Sequence, residues 1–116
     1  QVDRFSFHES YLEEDADTLL LTYGITARAA RDVYRMQKST GRPVSLLILK
    51  TLWPVPEKLI RKNAERVQRV IVAEMNLGQY VREIERILPH KTIEFFGQMD
   101  GRLISPRQIQ EVVAHV

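Results

Sequence analysis

The chain has no cysteine. That removes disulfides, thiolate zinc sites, cysteine-ligated iron–sulfur clusters and a cysteine nucleophile, and it fits a reducing, cytoplasmic setting. No apolar run approaches the roughly 20 residues of a membrane span, so no membrane partner is expected. There is no excess of one charge: the formal net charge is only +2, too small to argue for a nucleic-acid partner. The histidines His8, His90 and His115 lie far apart, with no helical spacing between any two, so no metal site is expected. No serine sits in a Gly-x-Ser-x-Gly elbow. The turn Tyr23-Gly24-Ile25-Thr26 holds one glycine, without the full Gly-x-Gly-x-x-Gly pattern or a phosphate-loop lysine. The chain starts Gln1-Val2-Asp3-Arg4, which has neither the charge nor the apolar region of a signal peptide, and it lacks an initiator Met. We therefore expect a piece cut from a longer chain.

What is present reads as one globular domain over residues 1–116. Hydrophobic residues make up 44% and charged residues 28%, an ordinary balance in a chain long enough for a core. The organising stretch is Arg69 to Gln79. Val70-Ile71-Val72 is a β-branched run suited to a strand buried on both faces, as in a parallel sheet covered by helices. It turns polar at Glu74 and Asn76, and Gly78 follows. The period changes there: Leu77, Tyr80, Val81, Ile84, Ile87 and Leu88 fall three and four apart, one face of a helix. In open α/β sheets the loop at a strand's carboxyl end is where ligands and partners are met.

The rest of the chain repeats this alternation. Residues 1–12 read as an edge strand or an interdomain connector. Glu13-Glu14-Asp15 and Asp17 read as a solvated acidic turn. Thr18 to Tyr23 is a strand ended by Gly24, and a helix runs to about Ser39 with Thr26 as its N-cap. Arg28, Arg31, Arg35 and Lys38 form a basic stripe on that helix, a solvated face or a docking face for an acidic neighbour. Gly41-Arg42-Pro43 closes the helix. Val44 to Leu49 is the next strand, and Pro56 starts a short helix at its first position. Thr92 to Phe96 is a further strand. Gly97 and Asp100-Gly101 are turn signals. Ser105-Pro106-Arg107-Gln108 opens the last helix with a capping box, its buried stripe being Ile109, Val112, Val113 and Val116.

Four passages together resemble one family: Asp15 to Gly24, Thr51-Leu52-Trp53-Pro54-Val55-Pro56-Glu57, Glu74-Met75-Asn76-Leu77-Gly78-Gln79, and Gly101 to Gln108. Their order and spacing resemble the C-terminal domain of the α subunit of 2-oxoacid:ferredoxin oxidoreductases. Those enzymes oxidise pyruvate, 2-oxoglutarate or branched-chain 2-oxoacids with thiamine diphosphate, coenzyme A and ferredoxin. The resemblance implies a transketolase C-terminal-like fold, a three-layer α/β/α domain with a mixed, mostly parallel sheet of about five strands whose N-terminal edge strand runs antiparallel. It also implies that thiamine diphosphate, magnesium, coenzyme A and iron–sulfur clusters belong to the complex rather than to this domain, for which no catalytic, cofactor-binding or metal residue is assigned. Its partners would be the other domains and subunits, with ferredoxin reached through the complex. The Leu-Trp-Pro and late Gly-rich passages lie nearest the branched-chain or 2-oxoglutarate type, and the substrate stays open.

If the centre of the sheet is parallel, the loops at its carboxyl edge bring Gly24, Trp53, Pro54, Glu74, Asn76, Gly78, Gln79 and Gly97 together as a partner interface. Within that set Trp53 is either an interface anchor or a core filler. Glu74 is either a general base or an interface hydrogen-bonding group. The alternative function is a stand-alone small-anion or nucleotide-binding domain using the helix start after Gly24.

Overall fold

Leu19, Leu20 and Leu21, like Val70, Ile71 and Val72, have no accessible surface, so both runs lie between two helical layers. The computed structural model describes residues 7–74, 79–97 and 104–114. Its strands are β1 (His8–Tyr11), β2 (Thr18–Tyr23), β3 (Ser45–Leu49), β4 (Arg69–Glu74) and β5 (Thr92–Gly97). Its helices are α1 (Ala27–Ser39), α2 (Glu57–Asn63), α3 (Gln79–Ile87) and α4 (Pro106–Ala114), with a 3-10 turn at Gly24–Thr26. The sheet order is β1-β3-β2-β4-β5. β2 to β5 are parallel, and β1 runs antiparallel against β3. The expected mixed five-stranded sheet with an antiparallel N-terminal edge is therefore what forms.

The period of two sorts the core into two layers. Leu19, Leu21, Leu47, Val70 and Val72 pack with Ile60 of α2 and Ile84 of α3. Leu20, Leu46, Ile48 and Ile71 pack with Val33 of α1 and Ile109 of α4. Alternate residues of one strand thus feed opposite layers, as a three-layer domain requires.

Several local signals act as expected. Gly41 has φ +79; its N–H reaches the Lys38 carbonyl and the Arg42 N–H reaches Gln37. That paired closure is the Schellman ending, in which only glycine is unstrained. At α4 the Ser105 N–H donates to Gln108 Oε1 at 2.9 Å and the Gln108 N–H donates to Ser105 Oγ at 3.2 Å, a reciprocal capping box.

Other expectations need correction. Thr26 is not an N-cap: the 3-10 turn gives it φ −71 and ψ −19 with no side-chain bond, whereas a cap needs extended backbone. Pro56 precedes α2 instead of opening it, and β3 starts at Ser45, not Val44. Glu74 ends β4 and is fully buried. Gly97 is the last residue of β5. The acidic turn is not simply solvated, because Glu13 accepts the Tyr34 hydroxyl and pairs with Lys38. The basic stripe is solvated at Arg28, Arg35 and Lys38, and Arg31 alone turns to an acidic partner on the edge strand. That partner is Glu9, at 2.7 Å. β1 is gripped from both faces, since Ser10 donates to Asn63 of α2. Asn76, Gly78, Leu77, Asp100-Gly101, His115 and Val116 lie outside the described residues.

Candidate functional site

The parallel strands end together at Tyr23, Leu49, Glu74 and Gly97. Glu74 organises this edge. Its Oε1 accepts the Tyr23 hydroxyl at 2.5 Å, and its Oε2 accepts the Val81 N–H at 3.1 Å. Val81 is the third residue of α3, where a helix leaves its N–H groups without an internal partner. The carboxylate supplies that partner and sits at the positive end of the helix dipole. Both oxygens of Glu74 are thus engaged inside the chain. A general base needs a lone pair within reach of substrate, and the described geometry gives Glu74 a structural carboxylate's surroundings instead.

Above the carboxylate runs an aromatic series. The Tyr23 and Tyr80 rings lie 5.6 Å apart at 64°, and Tyr80 and Trp53 lie 5.7 Å apart at 81°, both edge-to-face arrangements. The Tyr80 hydroxyl donates to the Leu52 carbonyl at 3.3 Å. Burial pushes that phenol above its ordinary range, with the Glu83 and Glu74 carboxylates adding to the effect. Trp53 closes the series with 62% of its surface exposed, so it does not fill the core. It joins Pro54 through a cis peptide.

The other expected residues fall around this series. Gly24 is exposed with φ +64, at the turn into the 3-10 segment. Pro54 is exposed, and Gln79 is exposed at the start of α3. Gly97 is paired in register with Glu74; a Cβ there would come within 3.0 Å of the Glu74 carbonyl. Tyr23 and Tyr80 were not singled out from the sequence. The available signal was position: a tyrosine ending an apolar strand, and another in the first turn after a polar strand end.

The helix start after Gly24 offers less to an anion than its sequence promised, because the Ala27 N–H is already donated to the Gly24 carbonyl. Among the described residues no group of three or more His, Asp or Glu is placed to hold a metal ion. No helix among them is long and apolar enough to cross a membrane.

A family model described as pyruvate:ferredoxin oxidoreductase core domain II matches residues 16–109. The ketoisovalerate oxidoreductase subunit VorB of Methanothermobacter thermautotrophicus is 34% identical over 109 residues, covering 94% of this chain and 31% of VorB. A solved 2-oxoglutarate:ferredoxin oxidoreductase from Magnetococcus marinus, with 2-oxoglutarate, coenzyme A and succinyl-CoA bound, superposes with a TM-score of 0.84 at 25% identity. It covers 97% of this chain and 20% of that one. A split-gene transketolase, an inactive β4 tetramer, superposes with a TM-score of 0.76 at 18% identity over 92% of this chain and 40% of that one, a likeness of fold. The chain spans about 30% of the length of the curated relatives it matches.

Proposed function

The chain belongs to the pyruvate:ferredoxin oxidoreductase core domain II family, and on that premise we propose that it is the assembly domain of a cytoplasmic 2-oxoacid:ferredoxin oxidoreductase. The whole enzyme would oxidatively decarboxylate a 2-oxoacid to its acyl-CoA and pass the electrons to ferredoxin. This domain's part is to dock the neighbouring domains and subunits through the carboxyl edge of its sheet. Thiamine diphosphate, when bound in such an enzyme, supplies the carbanion chemistry. Among the described residues, the carboxylate at the strand ends does not fit that group or its metal, being buried with both oxygens engaged. The absence of cysteine likewise leaves this chain no thiolate for an iron–sulfur cluster.

One observation carries the reading, the exposed Trp53 indole braced edge-on by Tyr80. A large rigid aromatic held out from a loop is what interface anchors are made of. Proline on its carboxyl side and Tyr80 at its edge limit the freedom it would lose on docking. The test is Trp53→Ala in the complete subunit. Assembly measured by analytical ultracentrifugation should weaken by about 2 kcal/mol or more, roughly thirty-fold. The thermal midpoint of the isolated chain should hardly move. Unchanged assembly overturns the anchor.

A further inference from the structure

We propose that the cleft beside the aromatic series seats an acidic segment of a protein partner, one in which an aspartate or glutamate lies within a few residues of a large apolar side chain. This rests on the assembly reading above and names the chemistry of the partner. The cleft, of about 600 Å³, opens between β2, the turn after it and the end of β3, and its walls include Tyr23, Gly24, Ile25, Arg28, Lys50 and Leu52.

Its apolar wall is Ile25, 65% exposed, together with the half-buried Leu52. Ile25 is held out by the 3-10 turn, which turns Thr26 inward in its place. An exposed aliphatic side chain alone is ordinary. Here it shares the cleft wall with Tyr23 and Leu52, and Tyr23 packs edge-on against the buried Tyr80 that braces Trp53. A cleft of about 600 Å³ with an apolar wall is larger than a small anion would occupy.

The charged rim gives the sign of the partner. Arg31 and Lys50 both turn to Glu9, at 2.7 and 2.8 Å, so two cations share one carboxylate. Arg28 is exposed and, among the described residues, has no ion-pair partner. Arg28, Arg31 and Lys50 all line the cleft, whose lining holds no carboxylate, so its rim is positive. A neutral or basic segment docking on Ile25 would bury this charge without compensation, which disfavours it. A carboxylate meets it, and the guanidinium fork of Arg28 suits that group better than an ammonium would.

The experiment uses the complete subunit in its assembled complex. A benzophenone amino acid replaces Ile25, the complex is irradiated, and the crosslinked peptide is sequenced. The expected product is a peptide with Asp or Glu within about four residues of the crosslink, roughly one helical turn. In parallel, Arg28→Gln should weaken assembly about five-fold at low salt and by less at high salt. A crosslink to a peptide without a nearby carboxylate, or no crosslink, overturns the proposal. So does an Arg28→Gln complex with unchanged affinity and salt dependence. If Trp53→Ala weakens assembly while Ile25 and Arg28 are silent, the edge is an interface but this cleft is not its acidic seat. If inorganic phosphate alone protects the cleft of the isolated chain from irradiation products, a free anion site replaces the protein one.

Discussion

Glu74 shows how one side chain joins fold and site. It is fully buried, and it holds Tyr23 of β2 and the first turn of α3 on the same carboxylate. Methionine has a similar length but carries neither carboxylate acceptor. Glu74→Met must then leave both the Tyr23 hydroxyl and the Val81 N–H without this partner. Stability by urea unfolding should fall by about 1–3 kcal/mol, and exchange of the Val81 amide should quicken relative to the middle of α3. An unchanged Val81 exchange rate would mean that the carboxylate is not the cap. Ile71 is simpler: it has no accessible surface and lies in β4, inside the sheet. Ile71→Ala should cost about 2–5 kcal/mol, and a much smaller loss would mean that the layer collapses around the gap. Ile71 was legible from its β-branched neighbours, because burial on both faces leaves a local pattern. The bond to Glu74 was not, since Tyr23 is 51 residues away and meets it only through the pairing of β2 with β4.

At the scale of elements, the capping box, the Schellman turn and the positions of β2, β3 and β5 were legible to within a residue, because each depends on side chains a few positions apart. Thr26 misled for the same reason. A threonine before a helical stripe looks like a cap, and nothing local tells a 3-10 turn from an extended approach. β1 shows what local reading cannot supply. Its four residues are held by α1, α2 and β3, and its character as an edge strand depends on those contacts. Glu9 is central to them. Bonds from Arg31, Lys50 and Tyr11 lower its pKa from 4.5 to about 2. The folded value lies below the unfolded one, so this carboxylate contributes stability that is complete above the unfolded value. That contribution is lost as pH falls toward about 2. Wild type should therefore lose, across this window, a component of stability that Glu9→Gln lacks, and the two unfolding curves should converge in acid. Parallel curves would show that Glu9 does not fasten β1. At the other end, Ser105→Ala removes one arm of the capping box and should cost about 1 kcal/mol, read by the same unfolding measurement.

For the whole molecule, the layered architecture followed from alternating strands and helices, while the aromatic series at the carboxyl edge needed the strand order itself. Tyr23, Trp53 and Tyr80 belong to three separate segments, and only the neighbouring placement of β2 and β4, with α3 returning from the end of β4, brings them together. The same placement gives each helical layer its own buried cluster without borrowing a side chain from elsewhere. The Cα radius of gyration of 13.0 Å is about that of a compact domain of this length. The isolated chain should accordingly unfold cooperatively, with a urea slope of roughly 1–3 kcal/mol per molar. It should nevertheless be inert. Catalysis of 2-oxoacid oxidation needs a held cofactor and a group that moves protons at it. Here the strand-end carboxylate is committed to Tyr23 and Val81, and the aromatic series points an indole at solvent. We expect that the chain, mixed with thiamine diphosphate, magnesium, coenzyme A, a 2-oxoacid and an electron acceptor, reduces no acceptor above the rate of the same mixture without protein. Measured reduction that tracks the concentration of the folded chain, and disappears when it is unfolded in urea, would place chemistry on this domain and end its reading as an assembly piece.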